Sequence, residues 1–123
     1  MKRIYTHSTT TQDIRNRIAV EARIVRKLIR NGVTNGWEVC VDDGSDDELI
    51  RGTQNELMEG VFAVEEAHLY FRKSINCRMV RCCVWLVMGN DGFDVMADYS
   101  VHPAFEAEIT GPVDAYVDSL IPS

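Results

Sequence analysis

The apolar residues of the first part of the chain recur at the spacing of an amphipathic helix. A threonine at position 9, 10 or 11 can cap the start of this helix, and Asn31-Gly32 supplies a left-handed stop at its end. The arginines lie mostly away from the apolar stripe, so the outer face of the helix is predicted to be basic. The apolar residues are Ile14, Ile18, Val25, Leu28 and Ile29, and the arginines are Arg15, Arg23, Arg26 and Arg30.

Alternating polar and apolar residues after Asn35-Gly36 predict four strands. The third strand is apolar on both faces, so we expect it to be central and at least partly covered on both sides. Residues 73–77 form a predicted loop, and Gly89 to Gly92 form a predicted hairpin turn. Pro103 is predicted to break the chain, residues 104–109 to form a short helical turn, and Gly111-Pro112 to restart the chain into the last helix. After the first helix the predicted elements are a strand at 37–41, a helix at 53–59, strands at 66–72, 79–88 and 93–101, and a helix at 113–121.

This order of elements, α-β-α-β-β-β-α, predicts an α+β fold in which helices pack on one face of a four-stranded, mainly antiparallel sheet. The 123 residues are enough for one hydrophobic core. We therefore expect a single domain over residues 1–123, with residues 1–9 as a flexible leader. The predicted core residues are Trp37, Val39, Val41, Leu69, Phe71, Val84, Leu86, Val95, Ala97 and Tyr99.

The sequence predicts neither secretion nor a membrane partner. Its longest apolar run, Cys82 to Met88, has seven residues, whereas a membrane-spanning helix needs about 20. The first ten residues lack the apolar stretch of a secretory signal. We expect a soluble cytoplasmic protein whose cysteines are reduced, because their spacing fits neither a metal site nor a redox pair. The cysteines are Cys40, Cys77, Cys82 and Cys83.

Charge is distributed unevenly along the chain. Residues 1–30 hold eight basic and two acidic side chains, a net charge of +6, while residues 31–123 hold five basic and 17 acidic ones, a net charge of −12. A nucleic-acid-binding protein needs a basic face, and only the first helix offers one. We favour the simpler alternative, in which this helix packs on the acidic remainder and its charges are neutralised within the fold, so nucleic acid is not expected as a partner.

The carboxylates do not form a recognisable catalytic or metal site. Residues 42–48 are the densest acidic run, but they lack the ligand spacing of an EF-hand, so a solvated turn explains them and we expect no metal or cofactor. Asp94 and Asp98 lie about 13 Å apart along an extended strand, too far to share a proton. The alternative function is a small enzyme or ligand-binding domain, with Asp42, Asp94, Asp98 and His68 lining a pocket between sheet and helices.

Two segments of the chain resemble a known group of proteins. Val84 to Tyr99, which contains Gly89-Asn90-Asp91-Gly92 and ends in Asp98-Tyr99, and Val39 to Gly44 are similar to segments of small proteins of bacteriophages, prophages and other mobile elements. The resemblance extends over about half of the chain and implies no catalytic residues. It implies a bacterial host cell, in which small acidic proteins often bind and disable host machinery, including nucleases and CRISPR complexes.

The sequence therefore favours a non-enzymatic, acidic interaction protein that binds a basic surface on a host protein. Its most specific form is an anti-CRISPR-like inhibitor of a host defence or nucleic-acid-binding protein, because carboxylates can occupy Arg and Lys sites that normally hold phosphate. The alternative is that the acidity only keeps the protein soluble. A homodimer is also an alternative assembly. The predicted partner-binding residues are Asp91, Asp94, Asp98, Asp42, Asp43, Asp46 and Asp47.

Overall fold

The fold is a four-stranded antiparallel sheet with helices, in the predicted order α-β-α-β-β-β-α. A computed structural model describes residues 11–45, 48–89 and 92–121, so the predicted leader at 1–9 lies outside the described residues. The strands follow the order β1-β2-β3-β4 across the sheet, which is a meander. The elements are α1 (Thr11–Thr34), β1 (Glu38–Asp42), α2 (Gln54–Phe62), β2 (Glu66–Ile75), β3 (Arg78–Val87), β4 (Met96–Tyr99), α3 (Pro103–Phe105), the π-helix π1 (Glu106–Thr110) and α4 (Gly111–Leu120).

The two faces of the sheet differ in burial. Val41, Leu69 and Val84 form one cross-strand row, and all three are fully buried in the core that the helices share. Because side chains alternate between faces along a strand, the residues between them point to the other side, which we call the open face. Strand β3 lies between β2 and β4, as expected for a central strand, and its open side is only partly covered, since Trp85 there is 37% exposed.

Strand β4 is shorter than predicted, because residues 93–94 lie in a turn, and it contains a β-bulge opposite β3. Trp85 pairs with Asp98 and Leu86 pairs with Met96, so the pairing skips Ala97. Ala97 is therefore exposed, and its assignment to the core is wrong. Tyr99 is half-buried. The other eight predicted core residues are buried.

Helix α1 continues past the predicted stop at Asn31-Gly32. Gly32 is buried in the helix, where an added Cβ would lie 2.8 Å from both Phe71 Cε2 and Val39 Cγ2. This glycine therefore serves the close approach of α1 to the sheet rather than a turn. The helix ends at Thr34, and Gly36 supplies the positive φ of +83° that the chain needs before β1.

The predicted loop at 73–77 is a tight turn instead. Strands β2 and β3 extend to Ile75 and Arg78, and Asn76 and Cys77 between them have φ angles of 52° and 64°. Two successive positive φ angles are the backbone of a type I′ hairpin, whose twist matches that of the strands. Cys77 lies at this turn and is exposed.

Helix α2 begins immediately after Thr53, where the predicted helix at 53–59 starts. The Thr53 side chain accepts a hydrogen bond from the backbone N–H of Glu56, and the Glu56 carboxylate accepts one from the backbone N–H of Thr53. This capping box satisfies two backbone donors at the helix start. It confirms the prediction of a helix from this threonine onward.

Helix α4 begins at Gly111, as Gly111-Pro112 predicts, and the predicted helical turn at 104–109 lies within α3 and π1, which lead into α4 without a gap. The N–H of Gly111 donates to the carbonyl of Glu106, five residues earlier, and Pro112 has no N–H to place. Within π1, Glu108 accepts hydrogen bonds from Trp37 Nε1 at 2.8 Å and from Lys73 Nζ at 3.0 Å. The hydrogen bond from Lys73 is the main cause of the lowered pKa of Glu108. These bonds connect the π-helix to the sheet.

Candidate binding surface

One side chain from each strand contributes to a row that crosses the open face. The strand pairing aligns Asp42 with His68, His68 with Trp85, and Trp85 with Asp98. At the usual spacing between strands this row is about 14 Å long. It therefore has a carboxylate at each end and two aromatic rings between them.

The aromatic rings of the open face lie nearly parallel to one another. The His68 ring lies 6.3 Å from that of Trp85 with a 9° angle between the planes, and 6.1 Å from that of Tyr70 with an 11° angle. Trp85 and Tyr70 are 37% and 36% exposed. Trp85 Nε1 donates to Glu66 Oε1 at 2.7 Å, which orients the indole on the sheet. We call His68, Tyr70 and Trp85 the aromatic cluster.

The carboxylates at the ends of the row differ in their surroundings. Asp98 is exposed in β4 and accepts a hydrogen bond from the backbone N–H of Tyr99 at 2.8 Å. Asp42 is half-buried at the end of β1 and accepts one from the backbone N–H of Gly44 at 2.9 Å. Both therefore keep oxygen lone pairs for a partner.

The structure brings together some of the predicted partner-binding residues. Asp42 and Asp98 share the open face, whereas Asp43 accepts the N–H of Ser45 within the turn after β1. Hydrogen bonds from Ser45 also hold the pKa of Asp43 below its ordinary value. Asp94 is exposed in the turn before β4, not in the strand where the sequence placed it. The remaining three lie outside the described residues and are Asp91, Asp46 and Asp47.

The predicted position of a ligand pocket between sheet and helices is wrong. Asp42, His68 and Asp98 lie on the open face, because they alternate with the buried residues that face the helices. A depression of about 290 Å³ lies beside the row. Its lining residues are His68, Cys83, Trp85, Asp98, Tyr99 and Ser100.

The opposite end of the open face is charged. Arg72 pairs with Glu38 and with Arg81 across the strands. The Arg72 side chain donates to the Glu38 carboxylate, and Arg51 Nη1 lies 3.5 Å from the same carboxylate. The hydrogen bond from Arg72 is the main cause of the lowered pKa of Glu38. The open face thus changes from arginine-rich at one end to aromatic and acidic at the other.

The cysteines lie on different faces of the sheet. Cys82 is buried on the helix-covered face, and Cys83 lies on the open face, as their adjacent positions in a strand predict. Burial raises the pKa of the Cys40 and Cys82 thiols. Such thiols stay protonated at neutral pH and are poor nucleophiles. Among the residues that the structure describes, no three His, Cys, Asp or Glu side chains are close enough to hold a metal ion.

The expected neutralisation of the basic helix is wrong for the described residues. Among the described residues, α1 forms an ion pair within 4 Å between two of its own side chains, Arg17 and Glu21. Arg23, Arg26 and Arg30 are exposed and form no ion pair with another described residue. The helix packs on the core through its apolar side, which turns these arginines toward solvent.

A membrane span is not found in the described ranges, where no helix combines the length and the apolar character that a span needs. Comparison with protein-family models, curated proteins and solved structures finds no match for this chain. The function must therefore be inferred from the side chains of these surfaces.

Proposed function

We propose that this chain is a non-enzymatic interaction protein that binds a basic surface of another protein through the acidic and aromatic end of its open face. The proposal rests on the row of Asp42, His68, Trp85 and Asp98, which exposes carboxylates and aromatic rings on a face that no described helix covers. Exposed aromatic residues grouped on one face commonly mark binding sites.

The chemistry of this end suits arginine and lysine side chains. A carboxylate forms charge-assisted hydrogen bonds with a guanidinium group, and an indole ring attracts a cation over its face. Trp85 and Asp98 are adjacent in the strand pairing, so one partner side chain can contact both. Partners that use arginine and lysine to hold phosphate offer such side chains in groups.

The biological form of the proposal is inhibition in a bacterial cell. A protein of phage or mobile-element type would bind the phosphate-holding surface of a host defence or nucleic-acid-binding protein, in the manner of anti-CRISPR proteins. The carboxylates of the open face would then take the place of phosphates, and the aromatic cluster would bury apolar area around them.

A direct test measures binding of a labelled peptide of alternating arginine and glycine by fluorescence anisotropy. We expect Trp85→Ala and Asp98→Asn each to weaken binding by about fivefold or more, equivalent to about 1 kcal/mol at an interface residue. Asp118→Asn is the matched control, because it removes the same charge from an exposed position on α4. Equal affinities for Asp98→Asn and Asp118→Asn would mean that only net charge attracts the peptide.

A second experiment looks for the host partner. The wild-type protein and Trp85→Ala are used to capture proteins from a nuclease-treated bacterial lysate, with Val101→Ala as a control at an exposed residue outside the open face. We expect at least one captured protein to be lost only with Trp85→Ala, and to have a basic, phosphate-binding surface. Capture that is unchanged by Trp85→Ala would contradict the proposed surface.

A further inference from the structure

A second surface lies on the helices, on the side of the molecule away from the open face. It is a groove of about 480 Å³ between α1 and α4, which we call the basic groove. Polar side chains line it, and four of them are basic. The lining residues are Arg23, Arg26, Lys27, Arg30, Asn31, Thr34 and Tyr116.

The positive charges of the basic groove are not balanced from within the described part of the chain. Arg23, Arg26 and Arg30 form no ion pair there, and Lys27 Nζ lies 5.2 Å from the centre of the Tyr116 ring. Like charges three and four residues apart on a helix repel one another. An anionic ligand would therefore be attracted to the groove and would relieve this repulsion.

The arrangement of these charges fits an extended anion better than a small one. Arg15, Arg23, Arg26 and Arg30 fall within about 80° of the helix circumference at 100° per residue. From Arg15 to Arg30 the helix rises by about 22 Å at 1.5 Å per residue. One strand of B-DNA places about six phosphates over that length. A line of guanidinium groups over this length can contact several phosphates of one chain, whereas a small anion can contact only the groups nearest to it.

We propose that the basic groove and the adjoining Arg15 bind the phosphodiester backbone of a nucleic acid without reading its sequence. Guanidinium groups form bidentate hydrogen bonds with phosphate, and contacts to phosphates position a protein without conferring sequence specificity. The overall charge of −6 does not oppose this, because the excess of acidic residues lies after residue 30. At physiological salt, the repulsion between those acidic residues and a phosphate is also largely screened when the two are more than about 8 Å apart.

The test measures binding of the full chain to a labelled DNA duplex and to single-stranded RNA of the same length, over a range of salt concentrations. For three to four phosphate contacts, the logarithm of the affinity is expected to fall against the logarithm of salt with a slope of about −3 on duplex DNA. Comparing the two probes distinguishes the source of the phosphodiester chain. The proposal would be overturned if neither probe showed salt-dependent binding.

Two double variants test whether the basic groove is the nucleic-acid-binding site. Arg26→Gln combined with Arg30→Gln should weaken binding by about tenfold or more and reduce the size of the salt slope by about 2. The matched control combines Arg78→Gln with Arg81→Gln, which removes two exposed positive charges from β3. We expect this control to stay within about twofold of the wild type. Equal losses in the two double variants would overturn the proposal in favour of general electrostatic attraction.

Two further measurements separate nucleic acid from other acidic occupants. Polyglutamate of matched charge is expected to bind at least about tenfold more weakly than the nucleic acid. Its carboxylates also accept bidentate bonds from arginine, but they lie at the ends of flexible side chains whose ordering costs conformational entropy on binding. Sedimentation of the protein alone tests for a second copy. The decisive result would be a wild type that self-associates without binding nucleic acid, and a double variant, Arg26→Gln with Arg30→Gln, that no longer self-associates. This result would mean that the basic groove binds the acidic surface of a second copy instead.

Discussion

Glu21 is a buried carboxylate that holds two parts of the fold together. Its side chain is 1% exposed and accepts a hydrogen bond from the backbone N–H of Gly89 at 2.8 Å, while Arg17 Nε lies 3.9 Å from its other oxygen. This links the middle of α1 to the end of β3. Glu21 was not among the predicted core residues. The available signal was a glutamate at helical spacing with the apolar stripe, one turn after an arginine.

Replacing Glu21 should destabilise the fold. Glu21→Ala leaves the Gly89 N–H without this acceptor, and we expect the free energy of unfolding to fall by about 1 to 3 kcal/mol in urea denaturation. Glu21→Gln keeps an acceptor and should cost less. Glu59→Ala on the exposed side of α2 serves as a control and should stay within about 0.5 kcal/mol of the wild type. An equal effect of Glu21→Ala and Glu59→Ala would contradict a structural role for Glu21.

Tyr99 makes stability depend on pH at the alkaline end. Its hydroxyl donates to Asp114 Oδ2 at 2.5 Å, and this hydrogen bond is the main cause that raises the pKa of Tyr99 to about 12. Since the folded pKa lies above the unfolded value of about 10, the stabilisation is complete below pH 10 and is lost as pH rises from 10 to 12. Tyr99→Phe should lower stability by about 1 kcal/mol at neutral pH and reduce the loss above pH 10.

The measurement for Tyr99 is urea denaturation at several pH values, together with the near-ultraviolet absorbance of tyrosinate. In the wild type we expect an ionisation near pH 12 from Tyr99, and this step should be missing in Tyr99→Phe. Burial also raises the pKa of Tyr70, and that ionisation should remain in the variant. If the ionisation missing in Tyr99→Phe were one near pH 10, the ordinary tyrosine range, that result would contradict the assigned hydrogen bond.

At the scale of elements, α1 approaches the sheet closely at Gly32. Alanine forms helices better than glycine by about 1 kcal/mol, so helix propensity alone predicts that Gly32→Ala is stabilising. Its Cβ, however, would lie 2.8 Å from Phe71 and Val39. Overpacking of this kind typically costs about 1 to 3 kcal/mol, so we expect net destabilisation in thermal and urea denaturation.

A matched variant separates packing from propensity. Ala19→Gly changes an exposed position of the same helix and should cost only the propensity difference of about 1 kcal/mol. Stabilisation by Gly32→Ala would mean that α1 can move away from the sheet at little cost.

The elements were predictable where local signals agree, and less so where packing decides. Alternation was sufficient for β1, and the predicted helix at 53–59 has the right start, where Thr53 and Glu56 form a capping box. The same local rules assigned a stop to Gly32, because the sequence does not reveal that Phe71 packs against it. The bulge that removes Ala97 from the core likewise depends on how β4 pairs with Trp85 and Leu86. The chemistry of the row was partly predictable, since Asp42 and Asp98 were candidates, but its assembly depends on strand register.

At the scale of the whole molecule, the sheet separates two surfaces of different chemistry. The open face carries the aromatic cluster and Asp98, and the basic groove lies on the outer side of the helices. The basic side chains of α1 and the acidic side chains of the open face therefore lie on different surfaces. Ion pairs among the described residues do not neutralise the arginines of the basic groove. A protein of this construction can contact a basic protein on one side and a phosphate backbone on the other.

The separation predicts that the two binding activities are independent. Trp85→Ala should weaken binding of the arginine peptide while leaving the affinity for duplex DNA within about twofold, and Arg26→Gln with Arg30→Gln should do the reverse. The physical reason is distance, because sites more than about 10 Å apart without shared contacts usually have additive free energies. Screening at physiological salt further limits the influence of the removed arginines on the peptide.

The measurement is fluorescence anisotropy with the arginine peptide and with duplex DNA. It compares the wild type, the two parent variants (Trp85→Ala, and Arg26→Gln with Arg30→Gln) and the variant that combines all three substitutions. We expect the free-energy changes to add within about 0.5 kcal/mol. Loss of both activities in either parent, with the fold intact by circular dichroism, would mean that one surface serves both ligands.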